Sequence, residues 1–255
     1  MKTRIAINGF GRIGRVFLRA AFNNPNIEVV AINDLASAHT MGHLFKYDSI
    51  HGVFDGDVQS TDDSLIINNH SINYLSSSKI ECISWQEYNV DIVVECTGLF
   101  KDRKSASAHL NSGAKKVIIS APPTDDSIKT IVVGINDHLI DDKDNILSNA
   151  SCTTNSAAPL IQLINENYGI ESAYITTIHS YTTDQRLHDS PHIDLRRARA
   201  GSTSIVPTTT GSAKALTKIF PDLSDRIGGC GIRVPVPDGS LTDITCIVEK
   251  ETTVD

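Results

Sequence analysis

The sequence predicts an α/β protein, with a doubly wound parallel sheet followed by a second α+β domain whose sheet is mostly antiparallel. Over the first 150 residues, short runs rich in Val and Ile alternate with segments of helical periodicity. Such runs are typical of parallel strands that helices cover on both faces. Beyond residue 150 the alternation stops, and residues 241–248 alternate apolar with polar side chains, as a half-covered antiparallel strand does. We therefore place a domain boundary near residue 150.

The elements of the first domain follow from periodicity and turn signals. Asn68-Asn69 separates two short apolar runs and predicts a hairpin turn. The predicted strands are 3–8, 27–33, 65–67, 72–75, 91–95, 116–120 and 130–134. The predicted helices are 12–23, which has apolar side chains on one face, 40–47 and 104–112.

The second domain has fewer clear elements. We predict a helix over 154–167, a strand over 172–180 and a strand over 241–248. A polar stretch rich in arginine extends to about Pro207, and a further helix is expected to begin near Ala213.

Composition excludes several classes of function. The chain has 255 residues, of which 40% are hydrophobic and 21% charged, with a net charge of −7. A mildly acidic chain is a poor candidate for binding nucleic acid or an anionic membrane through its overall charge. Its five cysteines lack the spacing of a zinc module or a disulfide framework. With no signal-peptide or membrane-spanning pattern, we expect a reduced, cytoplasmic protein.

A glycine turn marks a candidate dinucleotide site. Gly9, Gly11 and Gly14 form a G-x-G-x-x-G pattern between a predicted strand and helix. In such a turn the first glycine permits the tight bend, the second lets a pyrophosphate approach, and the third packs helix on strand. Asp34 ends the next strand, 20 residues after Gly14, where a carboxylate binds the adenosine ribose and favours NAD over NADP. The alternatives are a turn that only packs and, for Asp34, a helix N-cap.

Cys152 is a candidate nucleophile. It lies where a loop becomes a helix, within Ser-Cys-Thr-Thr-Asn, and the positive end of a helix lowers the pKa of a thiol. Thr153 or Thr154 could cap that helix. His179, at the end of the predicted 172–180 strand, is the best candidate base, although a lone histidine is often structural. The remaining cysteines are interpreted as small buried apolar residues: Cys82, Cys96, Cys230 and Cys246.

Basic and hydroxyl side chains of the second domain suggest oxyanion sites. Arg196, Arg197 and Arg199 are close in sequence and fit a local anion site, a nucleic-acid patch or a solvated loop. Thr208–Gly211 precedes a predicted helix, and Arg233 lies in an apolar run, where a charge usually has a partner. We expect no metal, because Pro191 separates the only suggestive pair, His188 and His192.

Five motifs together closely resemble those of the phosphorylating glyceraldehyde-3-phosphate dehydrogenases. The motifs are Ile7–Arg15, Ser151–Asn155, His179–Asp184, Asp194–Arg199 and Pro207–Gly211. The resemblance spans the chain and implies a Rossmann NAD-binding domain over 1–150 and a catalytic domain over 151–255, in a homotetramer. It implies the oxidation of glyceraldehyde 3-phosphate with NAD and inorganic phosphate, giving 1,3-bisphosphoglycerate.

The resemblance also implies roles for individual residues. Cys152 corresponds to the nucleophile, which passes through a thiohemiacetal and a thioester, and His179 corresponds to its base. The cofactor positions are Gly9, Gly11, Arg12, Ile13, Gly14, Asp34, Thr97 and Ser120. Thr182 and Arg233 correspond to the site for the phosphate of the substrate. The site for the attacking phosphate corresponds to Ser151, Thr153, Arg197, Thr210 and Gly211.

The chain departs from the family pattern at three places. Ser78, followed by Lys79, stands where an arginine beside the adenine is common, and Ser190 replaces a leucine before Pro191. Family members continue beyond the position of Asp255, so we expect a catalytic domain that lacks further strands, an asparagine for the nicotinamide carboxamide and a terminal helix. Two other functions stay open: an erythrose-4-phosphate dehydrogenase, and a dinucleotide-binding module without turnover.

Overall fold

The computed structural model describes residues 2–253, so residues 1, 254 and 255 of the predicted domain ranges lie outside it. The described residues form two compact units. One contains the chain up to Thr130 together with Ile140–Ala150, and the other contains Ile131–Leu139 and the chain from Ser151 onward. No helix among the described residues is both long and apolar enough to cross a membrane.

The first unit is built on a nine-stranded sheet. Its strands are β1 (Thr3–Asn8), β2 (Ile27–Asn33), β3 (Tyr47–Asp48), β4 (Gly52–Val53), β5 (Val58–Ser60), β6 (Ser64–Ile67), β7 (His70–Leu75), β8 (Ile92–Glu95), β9 (Lys116–Ile119), β10 (Lys129–Thr130) and β11 (Ile146–Ser148), of which β3 and β4 form a separate ribbon. Its helices are α1 (Arg12–Ala21), α2 (Ala38–Lys46) and α3 (Arg103–Asn111).

The strand order places a switch point at β1. The sheet runs β10-β11-β9-β8-β1-β2-β7-β6-β5, with parallel pairing except in the β7-β6-β5 edge. Because β1 pairs with β2 on one side and β8 on the other, the chain changes direction across the sheet at this strand. Ligands of doubly wound folds bind at the carboxyl ends of the strands at such a point.

Apolar side chains cover both faces of this sheet. Ile7 packs with Phe10 and Phe45 in one cluster, whereas the adjacent Ala6 packs with Trp85 in another. Successive residues of a strand point to opposite faces, so β1 is buried on both sides, as its unbroken apolar sequence predicts.

The second unit contains a four-stranded sheet with two helices. Its elements are α4 (Cys152–Tyr168), β12 (Ile170–Ser180), β13 (Val206–Thr208), α5 (Ser212–Ile219), β14 (Ile227–Val234) and β15 (Ser240–Val248). The order is β13-β14-β12-β15, and β12 pairs in parallel with β14 but antiparallel with β15. With β13 antiparallel to β14, the sheet is mixed and mainly antiparallel.

The predicted fold class is confirmed, and most predicted elements lie within two residues of their observed bounds. The hairpin turn is present, with φ of +48° at Asn68 and +64° at Asn69, as a primed hairpin turn requires. The predicted strand over 130–134 is wrong, because β10 ends at Thr130. Beyond it, Asn136 Oδ1 accepts the Val132 N–H at 2.8 Å, which removes that donor from strand pairing, and Gly134 turns with φ of +83°.

Candidate active site

Cys152 is the first residue of α4, and Ser151 is the N-cap. Ser151 Oγ accepts the Thr154 N–H at 3.1 Å, so the expectation that Thr153 or Thr154 caps this helix is wrong. Thr153 and Thr154 are instead buried, whereas Cys152 is exposed. The capped helix start therefore holds an accessible thiol at the positive end of α4.

The imidazole of His179 contacts this thiol. Cys152 Sγ lies 3.1 Å from His179 Nε2. This hydrogen bond lowers the pKa of Cys152 below the ordinary thiol value of 9.0, and the N–H and hydroxyl of Thr153 act in the same direction against the opposing effect of burial. The same bond raises the pKa of His179. Opposite shifts of the two partners favour a thiolate–imidazolium pair.

The sheet register places Arg233 on the other side of the imidazole. His179 on β12 is opposite Arg233 on the parallel neighbour β14. His179 Nδ1 lies 2.8 Å from the Ser180 carbonyl oxygen and 2.9 Å from Arg233 Nη1, which also donates to that carbonyl at 2.9 Å. Burial and the nearby charge of Arg197 lower the pKa of Arg233. A guanidinium group whose charge is disfavoured in this way is suited to binding an anion.

Arg197 is held by a carboxylate and by the strand before α5. Its Nη1 forms a short ion pair with Asp184, and its Nε donates to Thr208 Oγ1 at 2.9 Å. Asp184 also lies 3.3 Å from His192 Nε2. The charges of Cys152, Arg197 and Asp184 all act on the guanidinium group of Arg233, so the four side chains belong to one cluster.

The other two arginines of this stretch are in surface ion pairs. Arg196 Nη2 lies 2.9 Å from Asp194 Oδ2, and Arg199 Nη1 lies 2.8 Å from Asp189 Oδ2. Their charges are compensated within the loop, which argues against a nucleic-acid patch. Of the three arginines in this stretch, Arg197 is therefore the one that belongs to the candidate site.

The remaining predicted phosphate residues lie in loops of the same unit. Thr182 follows β12 and its N–H donates to Gln185 Oε1 at 3.3 Å. Gly211 is the N-cap residue of α5, and Thr210 precedes it. Their predicted role stays a prediction.

A cavity of about 350 Å³ opens at the carboxyl ends of the first unit's strands. Gly9 has φ of +89°, and a Cβ there would lie 2.7 Å from the Thr97 nitrogen, so only glycine fits this turn. A Cβ on Gly14 would lie 2.3 Å from the Gly9 carbonyl oxygen, whereas one on Gly11 would meet nothing within 4 Å. The open approach at Gly11 and the acidic group at Asp34 fit a dinucleotide.

Four of the predicted cofactor residues line this cavity and four do not. Among the described residues, the lining ones are Gly9, Gly11, Asp34 and Thr97. Arg12, Ile13 and Gly14 form the first turn of α1 behind the glycine bend, and the Ser120 hydroxyl donates to the Glu95 carbonyl oxygen at 2.9 Å.

Asp34 braces the glycine turn. Its Oδ2 accepts the Phe10 N–H at 2.7 Å and its Oδ1 accepts the Ala36 N–H at 2.9 Å. The N-cap of α2 is Ser37, whose Oγ accepts the Thr40 N–H, so the alternative interpretation of Asp34 as that cap is wrong.

Sequence reasoning missed several residues of both sites. Asn8, Asn33, Ser77, Cys96 and Phe100 line the cavity. A polar residue at the end of an apolar strand was the available signal for the two asparagines. Asp184 belongs to the His179–Asp184 motif, but nothing in the sequence predicted its ion pair with Arg197.

The other cysteines differ in exposure. Cys82 is exposed, so its interpretation as buried is wrong, because it ends a short surface turn. Burial raises the pKa of the Cys96 thiol to about 11, and Cys230 and Cys246 are half-buried. Among residues 2–253, no group of three or more His, Cys, Asp or Glu side chains is placed to hold a metal ion.

A doubly wound sheet with a dinucleotide-type turn, and a thiol–imidazole pair beside Arg233, are typical of the class of NAD-linked dehydrogenases that act through a cysteine. Residues 3–103 match the family model of the glyceraldehyde 3-phosphate dehydrogenase NAD-binding domain, and residues 151–255 match the C-terminal domain of the same family.

Curated relatives agree with these matches over the whole chain. Glyceraldehyde-3-phosphate dehydrogenase of Geobacillus stearothermophilus is 50% identical, covering 100% of this chain and 76% of the relative. Glyceraldehyde-3-phosphate dehydrogenase 2 of Bacillus subtilis is 48% identical, covering 100% and 75%. The Clostridium acetobutylicum enzyme is 45% identical, covering 99% and 76%. The chain belongs to the glyceraldehyde-3-phosphate dehydrogenase family, and its cofactor is NAD.

Proposed function

We propose that the chain carries out the NAD-dependent oxidative phosphorylation of glyceraldehyde 3-phosphate through Cys152. The observation that carries this proposal is the 3.1 Å contact between Cys152 Sγ and His179 Nε2 at a capped helix start. A thiolate held there is a nucleophile at neutral pH.

The chemistry begins with addition of the Cys152 thiolate to the aldehyde carbon. The backbone N–H groups at the start of α4 stabilise the developing oxyanion. The imidazolium of His179 donates its proton to that oxyanion, which gives the thiohemiacetal hydroxyl. The neutral imidazole takes the same proton back as the carbon loses a hydride and becomes a thioester. NAD, when bound, accepts the hydride. Inorganic phosphate then attacks the thioester carbonyl and releases the acyl phosphate with Cys152 free again.

Two anion sites complete the proposal. Thr182 and Arg233 bind the phosphate of the substrate. Ser151, Thr153, Arg197, Thr210 and Gly211 bind the attacking phosphate. The effect of the Arg197 charge on Arg233, whose pKa it lowers together with burial, supports anion sites at these groups, since a bound oxyanion offsets that repulsion.

We further propose that residues 1–150 form the NAD-binding domain and residues 151–255 the catalytic domain. NAD contacts Gly9, Gly11, Arg12, Ile13, Gly14, Asp34, Thr97 and Ser120. Large apolar side chains exposed on the second unit, among them Leu187, Ile193 and Leu195, support assembly into a homotetramer. The cytoplasmic location stays a prediction.

Product formation tests the proposed function directly. Glyceraldehyde 3-phosphate or erythrose 4-phosphate is supplied with NAD, with and without inorganic phosphate, and NADH and acyl phosphate are measured. We expect glyceraldehyde 3-phosphate to be the better substrate and acyl phosphate to form only with inorganic phosphate. A preference for erythrose 4-phosphate, or a yield independent of phosphate, contradicts the proposal. Binding of NAD with no turnover identifies a binding module.

Replacing Asp34 with asparagine is expected to relax the preference for NAD over NADP. The negative charge that repels a 2′-phosphate is lost. One of the two bonds from the N–H groups of Phe10 and Ala36 is lost as well, because an amide NH2 group cannot accept it. We expect the ratio of NADP to NAD affinity to rise about tenfold, measured by calorimetry. Asp55→Asn, at an exposed position of the same unit, is the matched control. An unchanged ratio in Asp34→Asn excludes the assigned role.

A further inference from the structure

A chain of buried polar side chains lies at the carboxyl ends of the central strands. Glu95 ends β8, Asn8 ends β1 and Asn33 ends β2, and each is at least 96% buried. Glu95 Oε2 lies 2.5 Å from Asn8 Nδ2, and Asn33 Nδ2 lies 2.7 Å from Asn8 Oδ1. On the other side of Glu95, His109 Nε2 lies 3.1 Å from the same Oε2, and the ring receives the Trp85 N–H at Nδ1.

The donor and acceptor of each hydrogen bond in this row of side chains are fixed by the groups at its two ends. The Ser77 N–H donates to Asn33 Oδ1, so the Asn33 amide nitrogen faces Asn8 and the Asn8 amide nitrogen faces Glu95. The indole N–H of Trp85 is a donor only, so His109 Nδ1 is an acceptor and the proton of this neutral imidazole is on Nε2. Both routes therefore deliver a donor to Glu95.

Thr97 supplies the remaining donors. Its N–H donates to Glu95 Oε1 at 2.7 Å, and its hydroxyl makes a short bond to the same oxygen. A carboxylate accepts about four hydrogen bonds, and these four donors match an ionised Glu95. Among the described residues, the basic side chain in contact with Glu95 is that of His109, which is neutral in this arrangement. Glu95 thus holds a buried negative charge by hydrogen bonds rather than by a cation.

The same carboxylate fixes two walls of the dinucleotide cavity. Thr97 lines the cavity and is the close neighbour that permits only glycine at position 9. Asn8 also lines the cavity and immediately precedes Gly9, while Asn33 precedes Asp34. A substitution of Glu95 is therefore expected to displace residues on both sides of the glycine turn, because Asn8 and Thr97 each bond directly to its carboxylate.

We propose that Glu95, oriented by His109, is the positioning residue of the NAD site, acting through Thr97 and Asn8. This inference rests on the proposed contact of NAD with Gly9 and Thr97. Glutamine cannot keep all four bonds of Glu95, whichever way its amide is turned. Its NH2 group would face either Asn8 and His109, whose donors are fixed by Asn33 and Trp85, or the Thr97 N–H, which is a donor only.

The test is the NAD dissociation constant, measured by calorimetry. We expect Glu95→Gln to raise it about tenfold, while Glu28→Gln, the same change at the Arg4 ion pair, leaves it unchanged. Thr97→Val is expected to weaken binding as well, and the Glu95→Gln/Thr97→Val double variant to lose less than the sum. Additive losses, or equal affinities of Glu95→Gln and Glu28→Gln, overturn the proposal.

Two further readouts separate this proposal from its alternatives. Trp85 is the one tryptophan of the chain, so a changed indole emission in unliganded Glu95→Gln reports the altered His109 contact, and an unchanged emission counts against it. If Glu95→Gln fails to fold by circular dichroism, His109→Leu replaces it and is expected to weaken NAD binding severalfold; unaltered binding in that variant contradicts the proposal. Failure of wild type to bind NAD, with Cys152 still alkylated rapidly, would locate the error in the cofactor site instead.

Discussion

Replacing Cys152 with serine is expected to lower kcat for NADH formation from glyceraldehyde 3-phosphate by about 10⁴-fold or more. Serine keeps the size and the helix start, but its hydroxyl is far harder to ionise than a thiol whose pKa His179 already lowers. An imidazole 3.1 Å away cannot make up that difference in acidity. The measurement is steady-state NADH formation at saturating substrate, NAD and phosphate.

Cys82→Ser is the matched control for this substitution. Cys82 is also exposed and belongs to a short turn of the other unit, so its loss is expected to leave kcat within about twofold. NAD affinity is expected to be retained in Cys152→Ser, because the cavity is lined by residues of the first unit. Turnover in Cys152→Ser within tenfold of wild type would show that another group is the nucleophile.

Replacing His179 with asparagine is expected to lower kcat by about 10²- to 10⁴-fold. Asparagine neither takes the hydroxyl proton nor carries the positive charge that stabilises the thiolate of Cys152. The pKa of that thiol should rise toward its ordinary value, so its alkylation by iodoacetamide at neutral pH should slow by about tenfold or more. Peptide-resolved mass spectrometry follows the rate at Cys152 alone.

His188→Asn serves as the control for the imidazole. His188 is exposed in the same unit, and its replacement is expected to change neither kcat nor the alkylation rate. Wild-type alkylation rates in His179→Asn would mean that the helix start alone ionises Cys152, and that the imidazole contact contributes nothing to its reactivity.

Local sequence patterns predicted the first unit well because its strands are buried on both faces. An unbroken apolar run such as Thr3–Asn8, bounded by a glycine turn, has few other structures available to it. The second unit was harder. The sequence did not predict β14, because it contains Gly228, Gly229 and Gly231 and glycine is depleted in strands. This strand nevertheless places Arg233 beside the imidazole of His179.

The candidate site shows a similar division. Cys152 and the glycine turn were found because their chemistry depends on positions close together in sequence. The pairing of Arg197 with Asp184, and that of Glu95 with Asn8 and His109, joins residues 13 to 87 positions apart. Such pairs depend on strand order and loop course, which no periodicity in the sequence specifies. Capping was ambiguous for a related reason, since three hydroxyl residues flank Cys152 and only Ser151 has the extended backbone of an N-cap.

The pH dependence of Cys152 alkylation in the wild-type protein tests the central claim most directly. Because the hydrogen bond to His179 lowers the thiol pKa, the thiolate persists as pH falls, and the midpoint of the rate profile should lie below pH 9.0. The profile of His179→Asn should be displaced to higher pH. A wild-type rate that rises only through the ordinary thiol range, superimposed on that of His179→Asn, would contradict the proposed ion pair and the mechanism built on it.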